Sequence, residues 1–187
     1  MPKFILLSLF CFLQFSLCAQ VAGGKEYSKI EALYKAKAFV IREILKDSEE
    51  VVEFDIDPLA ASVTGELTSL VYKCSEKDLE GLVFGFYGNF WNEAGVTYQR
   101  YAFKNFNRAQ ALELFSKVSK AITEHGKYLS NDVNNHNIYF MYEDLTFLIS
   151  MIGPSHSIRI FWKEFDAEWT ITAYNRTKKR FEKTLDK

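Results

Sequence analysis

His136–Ala173 reads HNIYFMYEDLTFLISMIGPSHSIRIFWKEFDAEWTITA, and its alternation decides the fold. Apolar and polar side chains exchange at period two, which predicts four consecutive strands over 137–142, 145–151, 157–163 and 168–173. A four-residue turn at Glu164-Phe165-Asp166-Ala167 would set Lys163 opposite Glu168, Trp162 opposite Trp169, Ile160 opposite Ile171 and Ile158 opposite Ala173. One face is then apolar, while the other carries Arg159, Lys163, Glu168, Thr170 and Thr172, broken only by Phe161. In the first pair, Phe140 would face Phe147 and Ile138 would face Ile149. Cross-strand pairs of this kind contribute roughly 0.2–1 kcal/mol each, and a one-residue slip would turn both tryptophans to water.

Upstream of this meander the pattern changes period. Ile30, Leu33, Tyr34, Ala38, Ile41 and Leu45 recur at helical spacing behind a capping box, Ser28 with Glu31, and predict a helix over 28–46. Residues 51–56 alternate again and stop at Pro58. The stretch 59–68 is small and polar and suggests no element. Strands are expected over 70–74, 82–91 and 96–106, the last two joined by a turn at Asn92-Glu93-Ala94-Gly95. Asn107 and Gln110 form a second capping box. The helix behind it, 107–125, has Leu112, Phe115, Val118 and Ile122 as its stripe and Gly126 as its stop. A last helix over 175–185, capped by Asn175, completes the order α-β4-α-β4-α. The fold class expected is α+β: a mostly antiparallel curved sheet with helices packed on one face.

The amino terminus reads as an export signal. Lys3 is followed by an apolar run from Phe4 to Leu17 and by the small residues Cys18-Ala19. The run is shorter than the about 20 residues that span a membrane. Residues 1–19 are therefore expected to be removed, with 20–187 as one domain, periplasmic or extracellular, and no transmembrane segment after cleavage. Lipid anchoring at Cys18 is not expected, because Leu17 is too large for the residue before a lipidated cysteine. Loss of Lys3 leaves 22 basic against 24 acidic residues, a net charge of −2, which excludes a strong general pull on nucleic acid or anionic membrane. Cys74 would be the one remaining cysteine, placed in the core with Leu70 and Tyr72, so no intramolecular disulfide holds the domain.

No catalytic set is assembled by the spacing of residues. Glu53, Asp55 and Asp57 share one strand face at about 7 Å intervals, a pattern that suits a solvated edge and could also serve a small hydrolase. Asn131–Asn137 is rich in oxygen ligands but lacks the glycine of a calcium loop, so no metal or other cofactor is expected. His125, His136 and His156 are scattered, and Ser155-His156-Ser157 lies outside any nucleophile pattern. Asn175-Arg176-Thr177 is a glycosylation sequon with meaning only in a eukaryotic secretory pathway. Gly81, Gly85 and Gly88 interleave with aromatic residues, as in a curved hairpin or one approached closely by another group.

Aromatics carry the functional hint. Beyond residue 19 stand 13 Phe, 10 Tyr and 3 Trp, densest over 84–106, where they occupy both faces of the hairpin. The reading is an exported, non-enzymatic binding or interaction protein that takes a small molecule, a glycan or a protein on Tyr87, Trp91, Tyr98 and Tyr101. A hydrolase working through Glu53, Asp55 and Asp57, or a purely structural envelope-associated protein, are its rivals.

Overall fold

The computed structural model describes residues 31–46, 48–133 and 135–185. The expected signal peptide, the Ser28 cap and Asn134 lie outside them. The element order is α-β4-α-β4-α, and the eight strands form two four-stranded antiparallel sheets with orders β1-β2-β3-β4 and β5-β6-β7-β8. The strands are β1 (Asp55–Ala61), β2 (Leu67–Cys74), β3 (Leu79–Trp91), β4 (Thr97–Asn107), β5 (Asn137–Tyr142), β6 (Leu145–Ile152), β7 (Ser155–Trp162) and β8 (Phe165–Thr170). Helix α1 covers 31–45, its second half wound as a π-helix over Val40–Leu45; α2 is Arg108–Asn131 and α3 is Ile171–Leu185.

The main core lies between the inner faces of the two sheets and the helices α2 and α3. Phe84, Phe86 and Phe106 from the first sheet meet Trp162, Phe165 and Trp169 from the second, with Phe115 and Phe181 from the helices. Their rings pack edge-on or tilted, as between Phe84 and Trp169 at 4.9 Å and Phe86 and Trp162 at 5.1 Å. A second, smaller core occupies the opposite face of the first sheet. There Ala36, Val40 and Leu45 of α1 cover Leu70, Tyr72, Cys74 and Val83. Strand β2 is thus buried on both sides, and α1 lies across the sheet from α2 rather than beside it. Cys74 sits where the alternation of β2 places it, with Leu70 and Tyr72.

The β7–β8 register differs from the expected one. The turn has two residues, Lys163-Glu164, so Trp162 faces Phe165, Ile160 faces Ala167, Arg159 faces Glu168 and Ile158 faces Trp169. Each residue of β7 meets a partner four positions earlier than predicted. Four is even, so the side chains keep their faces, and both tryptophans are buried. Two-residue loops match the twist of the strands they join, and this sheet uses one at each hairpin. The first residue of each loop, Glu143, Gly153 and Lys163, has positive φ. The Phe140–Phe147 and Ile138–Ile149 pairs stand as expected. Shortening the turn also ends β8 at Thr170, so Ile171 and Ala173 belong to α3. The Thr170 hydroxyl, not Asn175, caps that helix by accepting from the Ala173 N–H at 3.2 Å.

Two local stop signals are overridden. Pro58 stays within β1 because β1 is an edge strand, where a missing N–H costs no ladder bond; a bulge after it turns Leu59 into the core. The uncommitted stretch 59–68 completes β1, turns at Ser62–Gly65 and begins β2. Gly126 likewise does not end α2, which runs on to Asn131 because Leu129 is buried. The helix does start at the Asn107–Gln110 capping box, with both reciprocal bonds at 2.9 Å. Its buried stripe is Ala111, Leu114, Phe115 and Val118, leaving Leu112 exposed. His125 is therefore a mid-helix surface residue and not a terminal one.

A methyl group at Gly126 would meet nothing within 4 Å. Gly126→Ala should therefore stabilise the protein by about 0.5–1 kcal/mol, through the entropy lost by the unfolded chain, as read in urea denaturation.

Candidate functional site

The β3–β4 hairpin is longer than the sheet that carries it. Strand β2 pairs with β3 as far as Phe86, opposite Leu67, and one further bond runs from the Tyr87 N–H to the Glu66 carbonyl at 2.9 Å, whereas β3 and β4 stay paired out to Trp91 and Thr97. Residues 88–91 and 97–100 therefore project as a two-stranded ribbon, with Tyr87 and Tyr101 at its base. Its turn is one residue longer than Asn92–Gly95 alone: Asn92 N–H donates to the Val96 carbonyl at 3.0 Å, and Gly95 takes φ 73°.

The pairing decides which rings share a face. Tyr87 faces Tyr101 and Trp91 faces Thr97 on one side; Phe90 faces Tyr98 and Gly88 faces Arg100 on the other. Three of the four expected site residues, Tyr87, Trp91 and Tyr101, thus fall on one surface, and Tyr98 falls behind it. The Tyr87 and Tyr101 rings are 5.0 Å apart, and Lys35 of α1 sits 4.4 Å over Tyr101. Trp91, at 73% exposure, stands about 13 Å further along the strand from Tyr87. Asn89 and Gln99 lie between them as a facing polar pair, and Tyr87 Oη donates to Asn89 Oδ1 at 3.2 Å. Burial, then the Glu31 and Tyr87 oxygens nearby, push the Tyr101 phenol above its ordinary range, so it keeps its proton and can donate.

The rear of the ribbon is tied to the second sheet. Phe90 packs edge-on to Phe165 at 5.3 Å, and Arg100 pairs with Glu164 in the β7–β8 turn. Further in, Asp144 of the β5–β6 turn accepts from Lys104 at 2.6 Å and from the Trp162 indole at 2.8 Å. Partial burial opposes the Asp144 charge, but those two bonds outweigh it and hold the carboxyl below its usual value. Basic residues of β4 thus meet acidic turns of the second sheet and fix the ribbon's angle.

The glycines are approached closely, and by the protein itself. Tyr72 lies over Gly81, Phe103 over Gly85 and Phe90 over Gly88. Phe103 in turn stacks on Phe39 of α1 at 5.4 Å. The core rings of the hairpin and the part beneath α1 are covered, and the outer end of the ribbon is not.

The other sequence candidates stay apart. Glu53, Asp55 and Asp57 are all exposed, with Asp55 opposite Lys73 across the β1–β2 ladder. Among the described residues, no group of three or more His, Cys, Asp or Glu is arranged to hold a metal ion. Asp132 receives the backbone and side-chain nitrogens of Asn135, ordinary turn chemistry. His136 stacks on Tyr128 with ring centres 4.1 Å apart, and His156 is the second residue of β7. Thr177 of the sequon is buried in α3 and bonded to Ser69 at 2.6 Å.

One cluster gave no signal in the sequence, because its members come from helices far apart along the chain. A shallow groove of about 420 Å³ between α2 and α3 is lined by Phe115, Ser119, Thr123, Lys178 and Glu182, among others. Ser119 Oγ lies 2.6 Å from Tyr174 Oη and accepts from Lys178 Nζ at 3.1 Å. A serine in mid-helix has its neighbouring amides spent on the helix itself, so the backbone beside it offers no oxyanion donors, and the trio braces the two helices. Compared with protein-family models, curated protein sequences and solved structures, the chain gives no match in any of them.

Proposed function

We propose that the protein is an exported, non-enzymatic binding protein that takes its ligand on the projecting ribbon, on Tyr87, Trp91 and Tyr101, with Tyr98 at the margin. The observation that carries this reading is the pairing of exposure with rigidity. Trp91 leaves most of its surface to water, yet its strand is clamped from behind by Phe90–Phe165 and Arg100–Glu164. A large ring with only two side-chain torsions, carried on a strand held from behind, loses little conformational freedom on binding, which is why Trp and Tyr dominate binding hot spots. Rings separated by the Asn89 and Gln99 amides suit a ligand with both apolar faces and hydrogen-bonding groups: a glycan or an extended peptide.

The test uses the tryptophans themselves. Trp162 and Trp169 are buried, so a ligand on the ribbon should change the emission of Trp91 alone. Titration with oligosaccharides and with peptides should give a saturable change that Trp91→Phe removes. Trp91→Ala and Tyr101→Ala should each weaken binding by about 10- to 100-fold without altering the far-UV spectrum. If ligands bind Trp91→Ala as tightly as the parent, or none in either panel shifts the emission, the ribbon is not the site.

A further inference from the structure

Each sheet has two edges, and an open edge presents backbone N–H and C=O groups that a further strand can pair with. Three of the four are blunted. Strand β1 carries Asp55, Asp57, Pro58 and a bulge; β4 carries Arg100 and Lys104; β8 carries Asp166 and Glu168. The fourth, β5, reads Asn137-Ile138-Tyr139-Phe140-Met141-Tyr142, with no charge, glycine or proline. That composition is the one most prone to strand pairing. Tyr142 and Leu145 flank a two-residue turn, so the β5–β6 bonds fall at Tyr142, Phe140 and Ile138, and the backbone groups of Asn137, Tyr139 and Met141 turn outward. Beside that edge the sheet's outer face exposes Tyr139 at 75% and Met141 at 59%, in register with Leu148 and, through Thr146, Phe161.

We propose that β5 is a self-association edge, on which a second copy of the chain adds its own β5 antiparallel across a two-fold axis, joining two four-stranded sheets into one of eight. The charge pattern selects the partner. A two-fold axis sets each edge against itself, which on β1 or β8 would oppose acids to acids and on β4 bases to bases. On β5 the strand's own residues are all uncharged, and the cation at that edge is Lys117 of α2. One six-residue strand and a small apolar patch bury less than the roughly 800 Å² per partner of a stable interface, so the dimer is weak, with a dissociation constant in the micromolar range or above. Lys117 of α2 restrains it, since its ammonium donates to the outward carbonyl of Met141 at 3.0 Å.

Sedimentation velocity on the purified chain from about 1 μM to 1 mM should show a reversible monomer–dimer equilibrium. Tyr139→Lys puts cations close together across the axis and should weaken the dimer at least tenfold, and Met141→Lys should do the same. Lys117→Ala frees the Met141 carbonyl and should tighten it several-fold. Circular dichroism and melting temperature monitor each variant's fold, and the slowing of amide exchange at Tyr139 with concentration reads the edge in the unmodified chain. A chain that stays monomeric throughout overturns the proposal and leaves the edge to a strand from another protein. A dimer indifferent to both lysine substitutions overturns it as well. Trp91 takes no part in these measurements, so they stand or fall apart from ligand binding at the ribbon.

Discussion

Trp169→Ala should lower the free energy of unfolding by about 3–5 kcal/mol, the cost of emptying the largest fully buried side chain in the core. Trp169 is 1% exposed and touches three layers at once: Phe84 of the first sheet at 4.9 Å, Phe115 of α2 at 6.3 Å and Tyr174 of α3 at 5.0 Å. A void there cannot be closed by moving one neighbour, because each belongs to a different element. Domains of this size are held by roughly 5–15 kcal/mol, so the variant stands near the limit of folding. Trp169→Phe should cost much less. It keeps most of the apolar contact and removes an indole N–H that finds no acceptor among the described residues. Urea denaturation of the two variants checks both values; a Trp169→Ala loss below about 1 kcal/mol would mean that the sheets do not meet at this ring.

Gly81→Ala should cost about 3 kcal/mol, at the top of the usual range for overpacking. A Cβ there would lie 2.5 Å from Tyr72 Oη and 2.7 Å from its ring, and would press on the backbone carbonyl of Phe106. The ring can rotate away, but the carbonyl belongs to the strand paired with β3 and cannot move without opening the ladder. Gly85→Ala offers the contrast. Its added methyl meets Phe103 at 3.1 Å, a side-chain atom that can give by a few tenths of an ångström, so the loss should be under about 1 kcal/mol. A double-mutant cycle of Gly81→Ala with Tyr72→Ala should show a coupling above 0.5 kcal/mol, since the second change removes one of the two obstacles. Chemical denaturation of the four proteins gives the figure.

Much of this architecture is written in local pattern. Asn107 and Gln110 announce the start of α2 because a capping box needs only those two side chains and the amides beside them. Burial of Trp162 and Trp169 follows from period two and survives a partner shift of four residues. Partner identity does not survive it, because alternation says which face a residue takes and nothing of what stands opposite. Pro58 and Gly126 fail as stop signals for a related reason: each penalises its element locally, and the penalty is outweighed by an edge position in one case and by Leu129's burial in the other.

The ribbon shows the same division. That aromatics occupy both faces of residues 84–106 is plain from their parity. That Phe103 is covered by α1, Phe90 by Phe165, and Trp91 by nothing described depends on where the β7–β8 turn and the first helix come to rest. The Ser119–Tyr174–Lys178 cluster between α2 and α3 had no sequence signature, since packing alone joins its residues.

By itself, then, the sequence determined the kinds of elements, their order and the inward face of most of them, because these rest on interactions among residues a few positions apart. Only the tertiary structure decided that eight strands divide into two sheets, that α1 covers the back of the first, and which aromatic rings stay in water. Those outcomes rest on contacts between elements distant in the chain, and the hydrophobic effect that drives them is non-directional: it demands that an apolar face be buried without naming the surface that buries it.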